Sequence, residues 1–350
     1  EIYTLSLHDA LPISFILAFL TYHLYSSYYK FGTILHMMTQ TSNISFFDNN
    51  AARSRVAVLL AANNGVDWIA DQIYSILNQR HVDLTLWISV DRHNDGTLEL
   101  LNNLSLSDVR IRLLPIGPNF GGAAKNFFRL LADVNFSDFD YVAFADQDDI
   151  WFDNKIISSI EYLNKTNSDA YSCNTIAFWP NGRYKLIDKS QPQRRLDFLF
   201  ESAGPGCTFV FTKELAIDFQ FFLISSALAR NFVLHDWLLY AFARSKGYHW
   251  EIDSKAYMLY RQHENNCVGA NVGLKAFFFR VKILMFGRGL HHVADLLNIL
   301  NEFSDSNHSG PLTRKSLLYF IKNVNHIRRK PIDRLFAVFL LLFAFIRIPK

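Results

Sequence analysis

Apolar positions follow two rhythms over residues 55–163: short unbroken runs, and longer segments with helical spacing. Residues 55–62 (RVAVLLAA) read as a strand that ends in the turn Asn63-Asn64-Gly65. Residues 67–78 place Trp68, Ile69, Ile73, Ile76 and Leu77 on one helical face. The alternation continues with a strand at 84–90, a helix at 97–104, a strand at 109–114, and a helix that opens near Asn119-Phe120-Gly121-Gly122 and runs through 131. A fourth strand follows at 141–145 and a helix at 155–163. Strands alternating with helices predict a parallel α/β sheet of the nucleotide-binding kind.

After residue 165 the rhythm changes. Strands are predicted at 170–178 and 207–212, separated by a polar stretch at 181–197; a helix follows at 232–244 and a short strand at 256–260. From 274 onward the chain reads as helices, at 274–286, 289–303, 312–324 and 333–348. The expected organisation is an extension over 1–52, an α/β domain over 53–271 and a helical region over 272–350. Residues 1–14 resemble a translated sequencing-adapter read-through, and no methionine precedes Met37, so no function is assigned to the extension.

Half of the 350 residues are apolar, enough for a sizeable core, and the formal net charge of +3 gives no reason to expect nucleic acid. The charge is uneven: Arg328-Arg329-Lys330 and Lys350 flank the apolar stretch 335–348. That stretch is shorter than the about 20 residues a span needs, so it reads either as a helix at an anionic bilayer surface, joined there by Phe277-Phe278-Phe279, or as one packed on protein. Cys173, Cys207 and Cys267 have no metal-ligand spacing, and a reducing cytosol is their simplest setting. There is no dinucleotide fingerprint after the first strand and no Walker loop, which weighs against an NAD enzyme or a P-loop ATPase.

The chemistry concentrates at the end of the fourth strand, in Asp146-Gln147-Asp148-Asp149-Ile150-Trp151. Ligands bind at the C-terminal ends of strands in open α/β sheets. Alternation along an extended segment would point Asp146 and Asp148 to one side, with Asp149 turned away. Such a pair suits Mg²⁺ or Mn²⁺, although the same carboxylates also suit a helix N-terminus.

Four marks in order complete the pattern: the first strand with its Asn-Gly turn; Asp91 with Asp95-Gly96-Thr97; the 146–151 block with Lys155; and His235-Asp236-Trp237 followed by Tyr260-Arg261-Gln262-His263 and Asn266. Together they resemble the family 2 glycosyltransferases of GT-A fold, most closely the bacterial rhamnosyltransferase-like members that build surface polysaccharides. The resemblance implies a metal-dependent, inverting transfer from a dTDP- or UDP-linked sugar to a glycan or lipid-linked acceptor at the inner face of the cytoplasmic membrane. It makes Asp236 the general base, Asp148 a metal ligand with Asp146 beside it toward the ribose or sugar, and His263 a second ligand or a diphosphate contact. Asp91 matches the carboxylate that reads the base. Asn119, Gly121 and Lys125 match a mark beside the nucleotide, and Ala62, Asn64 and Gln147 lie with it on the donor side. Arg261 is a phosphate partner; Gly206 and Cys207 lie in a glycine turn near donor and acceptor; and Trp151, His235 and Trp237 are set to meet the sugar or acceptor. For each of these the structural alternative is a turn, a cap or a core residue. Two departures stand out. Ala62-Asn63 occupies the place of a Thr-Tyr pair, and Val90 stands where the family has a first carboxylate, which touches nucleotide choice and leaves a catalytically inactive scaffold as the competing reading.

Overall fold

The structure is a computed structural model that describes residues 52–91, 95–117, 119–264, 288–302 and 312–347. The expectations about the N-terminal extension, Cys267, Asn266, the helix at 274–286 with its Phe277-Phe278-Phe279, and Lys350 lie outside these residues.

The first half alternates as its pattern predicts. Strand β1 (Ser54–Ala62) leads to α1 (Ile69–Leu77), β2 (Val82–Val90), α2 (Thr97–Ser107), β3 (Ile111–Leu113), α3 (Ala123–Asp133) and β4 (Tyr141–Asp146). The chain then forms the two-residue β5 (Ile150–Trp151), α4 (Lys155–Thr166), β6 (Ala170–Phe178) and β7 (Tyr184–Ile187). Next come β8 (Val210–Thr212), α5 (Lys213–Ser225), α6 (Ala227–Arg230), α7 (His235–Lys246) and β9 (Trp250–Arg261). The C-terminal helices are α8 (Arg288–Asn301), α9 (Arg314–Lys322), α10 (Val324–Ile327) and α11 (Pro331–Arg347).

All nine strands join one mixed sheet in the order β3-β2-β1-β4-β8-β6-β9-β5, with β7 paired to β6. β3, β2, β1 and β4 are parallel, and β8 enters antiparallel between β4 and β6. Strand β1 is buried on both faces, as a central parallel strand must be. Its alternate residues feed two cores: Ala57 and Leu59 meet Phe127, Phe144 and Phe211, while Val56, Val58 and Leu60 join the cluster of Ile69, Ile73 and Ile156. The C-terminal helices add Leu317, Phe320, Ile327 and Leu341 to the first of these cores.

Three expectations need correction. The strand placed at 256–260 is the twelve-residue β9, bulged where it runs parallel to β6. The strand placed at 207–212 is shorter, because Gly206–Thr208 form a 3₁₀ turn. The basic run 328–330 does not flank α11 as a free surface patch. Arg329 is 2% exposed and bonded to Glu201 and Ser202, Arg328 donates to the Phe200 carbonyl, and Lys330 donates to the Asp188 carbonyl.

Candidate active site

The C-terminal ends of β1, β2 and β4 lie side by side, so the loops after them share one rim. After β4 the chain turns at Gln147-Asp148 instead of staying extended. This overturns the expected alternation. Asp149 is not turned away: ligand atoms of Asp146, Asp149 and Cys207 lie within 4.8 Å of one another. Asp148 leaves in another direction, and its Oδ2 meets His263 Nε2 at 2.7 Å.

The turn is fastened from the β1 side. Asn63 N–H donates to Gln147 Oε1 and Gln147 Nε2 donates to the Asn63 carbonyl, both at 2.7 Å. Both amide atoms of Gln147 are thus engaged by backbone. Gly65 makes room for them, since a Cβ there would lie 2.3 Å from Gln147 Oε1. Asn64 takes a positive φ of 49°, the conformation its turn demands. Ala62 is fully buried, and its carbonyl accepts from Asp91 N–H and Asn126 Nδ2.

Asp91, at the end of β2, is 2% exposed and accepts the N–H groups of Phe120 at 2.7 Å and Gly121 at 3.0 Å. Asn119 Oδ1 shares the Gly121 N–H. Two oxygens on one amide, with Gly121 at φ +70°, hold the loop that opens α3, while Lys125 stays exposed on its first turn. Arg92, His93 and Asn94 fall outside the described residues. Asn126 was not singled out from sequence; its amide ties α3 to both Ala62 and Ser89 carbonyls. A lone Asn on the apolar face of a helix is the signal that marks it.

Strand β9 supplies the opposite wall. Arg261 Nε donates to the Asp148 carbonyl at 2.7 Å, its Nη2 pairs with Asp71 at 3.2 Å, and its N–H reaches Asp149 Oδ1. His263 stacks on Trp68 with ring centres 4.0 Å apart. Asp149 is fully buried, and its Oδ2 has no partner. Burial first, then Asp148 and Asp146, push its carboxyl well above the carboxylate range. Asp146 is pushed up to about 7, by burial first and Asp148 next, with Asp236 adding to the effect. The Cys207 thiol, raised by burial and by the two carboxylates, stays protonated.

Helix α7 brings the last group. Asp236 lies in its first turn, one residue past the start, and the N-cap position is Leu234 with no side-chain cap, so Asp236 is not there as an N-cap. Burial raises its carboxyl, opposed by nearby N–H groups, the Ser202 hydroxyl and Lys189. Gly206 allows the approach, because a Cβ there would sit 2.9 Å from His235 Nε2 and 3.1 Å from Asp236 Cβ.

Three residues expected to meet the sugar or acceptor are packed into the protein. Trp151 is 3% exposed, with Lys155 Nζ 3.6 Å from its ring centre; Lys155 is itself fully buried and driven down to about 8 by desolvation. Trp237 donates to the Phe198 carbonyl and meets Phe232 edge-on. His235 stacks on Phe127 at 3.9 Å, its Nε2 is buried without a partner, and desolvation lowers it to about 3. Their packing partners are the physical reason, Lys155 for Trp151, Phe232 and the Phe198 carbonyl for Trp237, and Phe127 for His235, whose imidazole is neutral.

Asp146 and Asp149 thus stand together, Asp148 is held by His263 and Arg261, and Asp236 is near enough to act on Asp146. A divalent cation fits Asp146 and Asp149, because burial first and repulsion from Asp148 next raise both carboxyls and a cation would offset both effects. This is the mixed α/β architecture, with carboxylates at the strand ends, that the resemblance to family 2 glycosyltransferases implies. Residues 57–218 match Glycosyl transferase family 2. The chain is 41% identical over 288 residues to the dTDP-rhamnosyl transferase RfbG of Shigella flexneri, covering 81% of this chain and 99% of that one. It is 30% identical over 176 residues, 47% of this chain and 63% of the other, to the UDP-Glc:alpha-D-GlcNAc-diphosphoundecaprenol beta-1,3-glucosyltransferase WfgD of Escherichia coli. Among solved structures it is similar to S. aureus TarS 1–349 in complex with UDP-GlcNAc, at 16% identity over 83% of this chain and 90% of that one; the TM-score of 0.46 is too low to carry further argument. The chain belongs to glycosyl transferase family 2 and is a glycosyltransferase.

Proposed function

We propose that the chain moves a rhamnosyl group from a dTDP-linked donor, with UDP as the other base to test, to a hydroxyl of a cell-surface glycan or lipid-linked acceptor, with inversion. The observation that carries this reading is the position of Asp236 near enough to Asp146 to raise its carboxyl, at the mouth of the carboxylate rim. The 41% identity to a protein named for dTDP-rhamnosyl transfer supports the donor. The acceptor hydroxyl loses its proton to Asp236 as its oxygen attacks the anomeric carbon, and the bond to the diphosphate breaks on the opposite face. A carboxylate raised toward neutrality by burial is a better base than a solvated one. Asp148 with Asp146 and His263, the set the resemblance implies, would hold Mg²⁺ or Mn²⁺, with Asp149 the carboxylate whose ligand atom already stands beside Asp146; the ion would supply positive charge for the diphosphate that leaves. Asp91 and Asn119 shape the loop beside the base, and Arg261 fixes the Asp148 turn.

The working site of such an enzyme is the inner face of the cytoplasmic membrane. Helix α11 supports this with an exposed apolar row, Ile332, Leu335, Phe339, Leu342 and Ile346. No helix among the described residues is long and apolar enough to cross a membrane.

Calorimetric titration with dTDP and UDP, each with Mn²⁺ and with chelator, tests the donor site. Metal-dependent binding of dTDP is expected, and Asp148→Ala should weaken it at least about tenfold, the size seen even when only a ligand's supporting partner is removed. Asp236→Asn should keep dTDP binding and lose about 10²- to 10⁴-fold in transfer, the usual contribution of a general base. Absence of both nucleotide binding and turnover in folded protein would leave the inactive scaffold reading instead.

A further inference from the structure

Beside Asp236 lies a group of cations for which donor chemistry has no use. The Arg328-Arg329-Lys330 run reaches back to the loops around residues 188–202, and these three side chains act on Lys189, Arg329 most strongly. The acids that face them are Glu201, bonded to Arg329, Asp333, 4.0 Å from Arg328, and Asp188, whose carboxylate is bonded to Ser190 and Gln191. Most of the donors are used on carbonyls, of Phe200, Ser202 and Asp188, which satisfy hydrogen bonds without neutralising charge. Two features are left over. The Lys189 ammonium makes no hydrogen bond or ion pair among the described residues; burial works against its charge first, Glu201 favours it, and Arg329, Arg328 and Lys330 oppose it. Arg329 Nε and Nη1 are buried and have no partner.

Glu201 is already bonded to Arg329, so an ammonium with no bonded partner of its own beside three like charges favours a further anion. Asp236 feels Lys189, and the Ser202 hydroxyl that touches Asp236 belongs to the residue whose carbonyl Arg329 holds at 2.5 Å. The cations therefore flank the base, and Asp148 is engaged elsewhere, by His263.

We propose that Lys189, with Arg329 as its buried neighbour, forms an anion subsite next to Asp236 that takes a phosphate or diphosphate group carried by the acceptor. The proposal deepens the transferase reading and rests on it. An anchored phosphate would fix the acceptor so that one hydroxyl faces Asp236, which is orientation gained from a part of the substrate that does not react.

The test is titration of the full chain with inorganic pyrophosphate in excess chelator, where the metal-dependent donor site is silent. The unaltered protein and Asp148→Ala are expected to bind alike. Lys189→Ala should bind on the order of tenfold more weakly, the loss of one charge-assisted contact, and Lys189→Arg should restore binding. Thermal unfolding of each variant reports whether it is folded. No binding by folded unaltered protein, equal binding by Lys189→Ala, or loss of binding in Asp148→Ala would each overturn the proposal. Asp236→Asn should still bind pyrophosphate whatever happens to its transfer, so a failed base assignment and a failed subsite register in different assays. Tighter binding of farnesyl diphosphate than of pyrophosphate would assign the anion to a polyprenyl-linked acceptor, and equal binding to a phosphate on the glycan itself.

Discussion

His235 shows how a single residue's surroundings settle its chemistry. Motif position alone set it to meet the acceptor; its stacking on Phe127 and its unpartnered Nε2 make it a neutral ring within an aromatic cage. The pH consequence has a definite sign. The folded-state value of about 3 lies below the ordinary 6.5, so unfolded chains bind the proton first, and stability falls as pH drops through 6.5 toward 3. At pH 5 this one group should remove about 2 kcal/mol. His235→Phe, which removes the orphaned nitrogen and keeps the stack, should match the parent's stability at pH 7.5 and exceed it by about that amount at pH 5, in urea titrations at both pH values. A loss of transfer as large as that of Asp236→Asn in the folded variant would return His235 to the acceptor site.

Elements differ in how plainly they could be read from their residues. β1 and β4 are buried on both faces and β2 buries Leu84, Leu86 and Ile88 on one, so they stand out as apolar runs, and the turns after them carry residues whose types betray their geometry. β7 is a short antiparallel edge strand, YKLI, with two of its four residues exposed, and it looks like loop. Helix α5 went unseen because it is apolar nearly all round. Leu215, Ala216 and Phe219 are buried, whereas Ile217, Phe221 and Ile224 are exposed, which erases the periodic signal. The carboxylate block was legible, but the turn at Gln147-Asp148 was not, and it decides which acids face each other. That turn is a joint property of two elements, since Gly65 after β1 and Gln147 after β4 occupy complementary space. Gly65→Ala should destabilise by about 1–3 kcal/mol through overpacking, and Gln147→Ala should relieve much of it in the double variant. Additive losses in a double-mutant cycle would show that the two turns are not coupled. Lys189 and Ser202 likewise come to act on Asp236 only through the fold, and no spacing in the chain announces it.

On the scale of the whole molecule, the C-terminal arm has two faces with different tasks. Its inner side is fastened to the catalytic domain by Arg329 on Glu201 and by Leu341 in the core, so α11 is not a loose tail. Its outer side carries Ile332, Leu335, Phe339, Leu342 and Ile346 at three- and four-residue steps, with 43–77% of each exposed. Arg328, Arg329 and Lys330, which sequence placed at its flank, are bonded to the loops around residues 188–202, so any attraction to anionic headgroups would come from elsewhere on the arm, where Lys315 and Lys322 of α9 are exposed. Insertion of the apolar row should therefore dominate over charge. Sedimentation with vesicles of phosphatidylglycerol and phosphatidylethanolamine should show binding that persists at high salt, because apolar burial is not screened. Leu335→Glu with Phe339→Glu should reduce that binding at least about tenfold, since each large side chain contributes roughly 1.5–3 kcal/mol when buried. The same double variant should retain transfer to a short water-soluble acceptor, because neither residue approaches Asp236 or the carboxylate rim. Binding that vanishes at high salt, or a variant that binds vesicles as well as the parent, would leave the row to a protein partner. A concentration-dependent change in mass by sedimentation equilibrium, abolished by the two glutamates, would then identify a second copy of the chain as that partner.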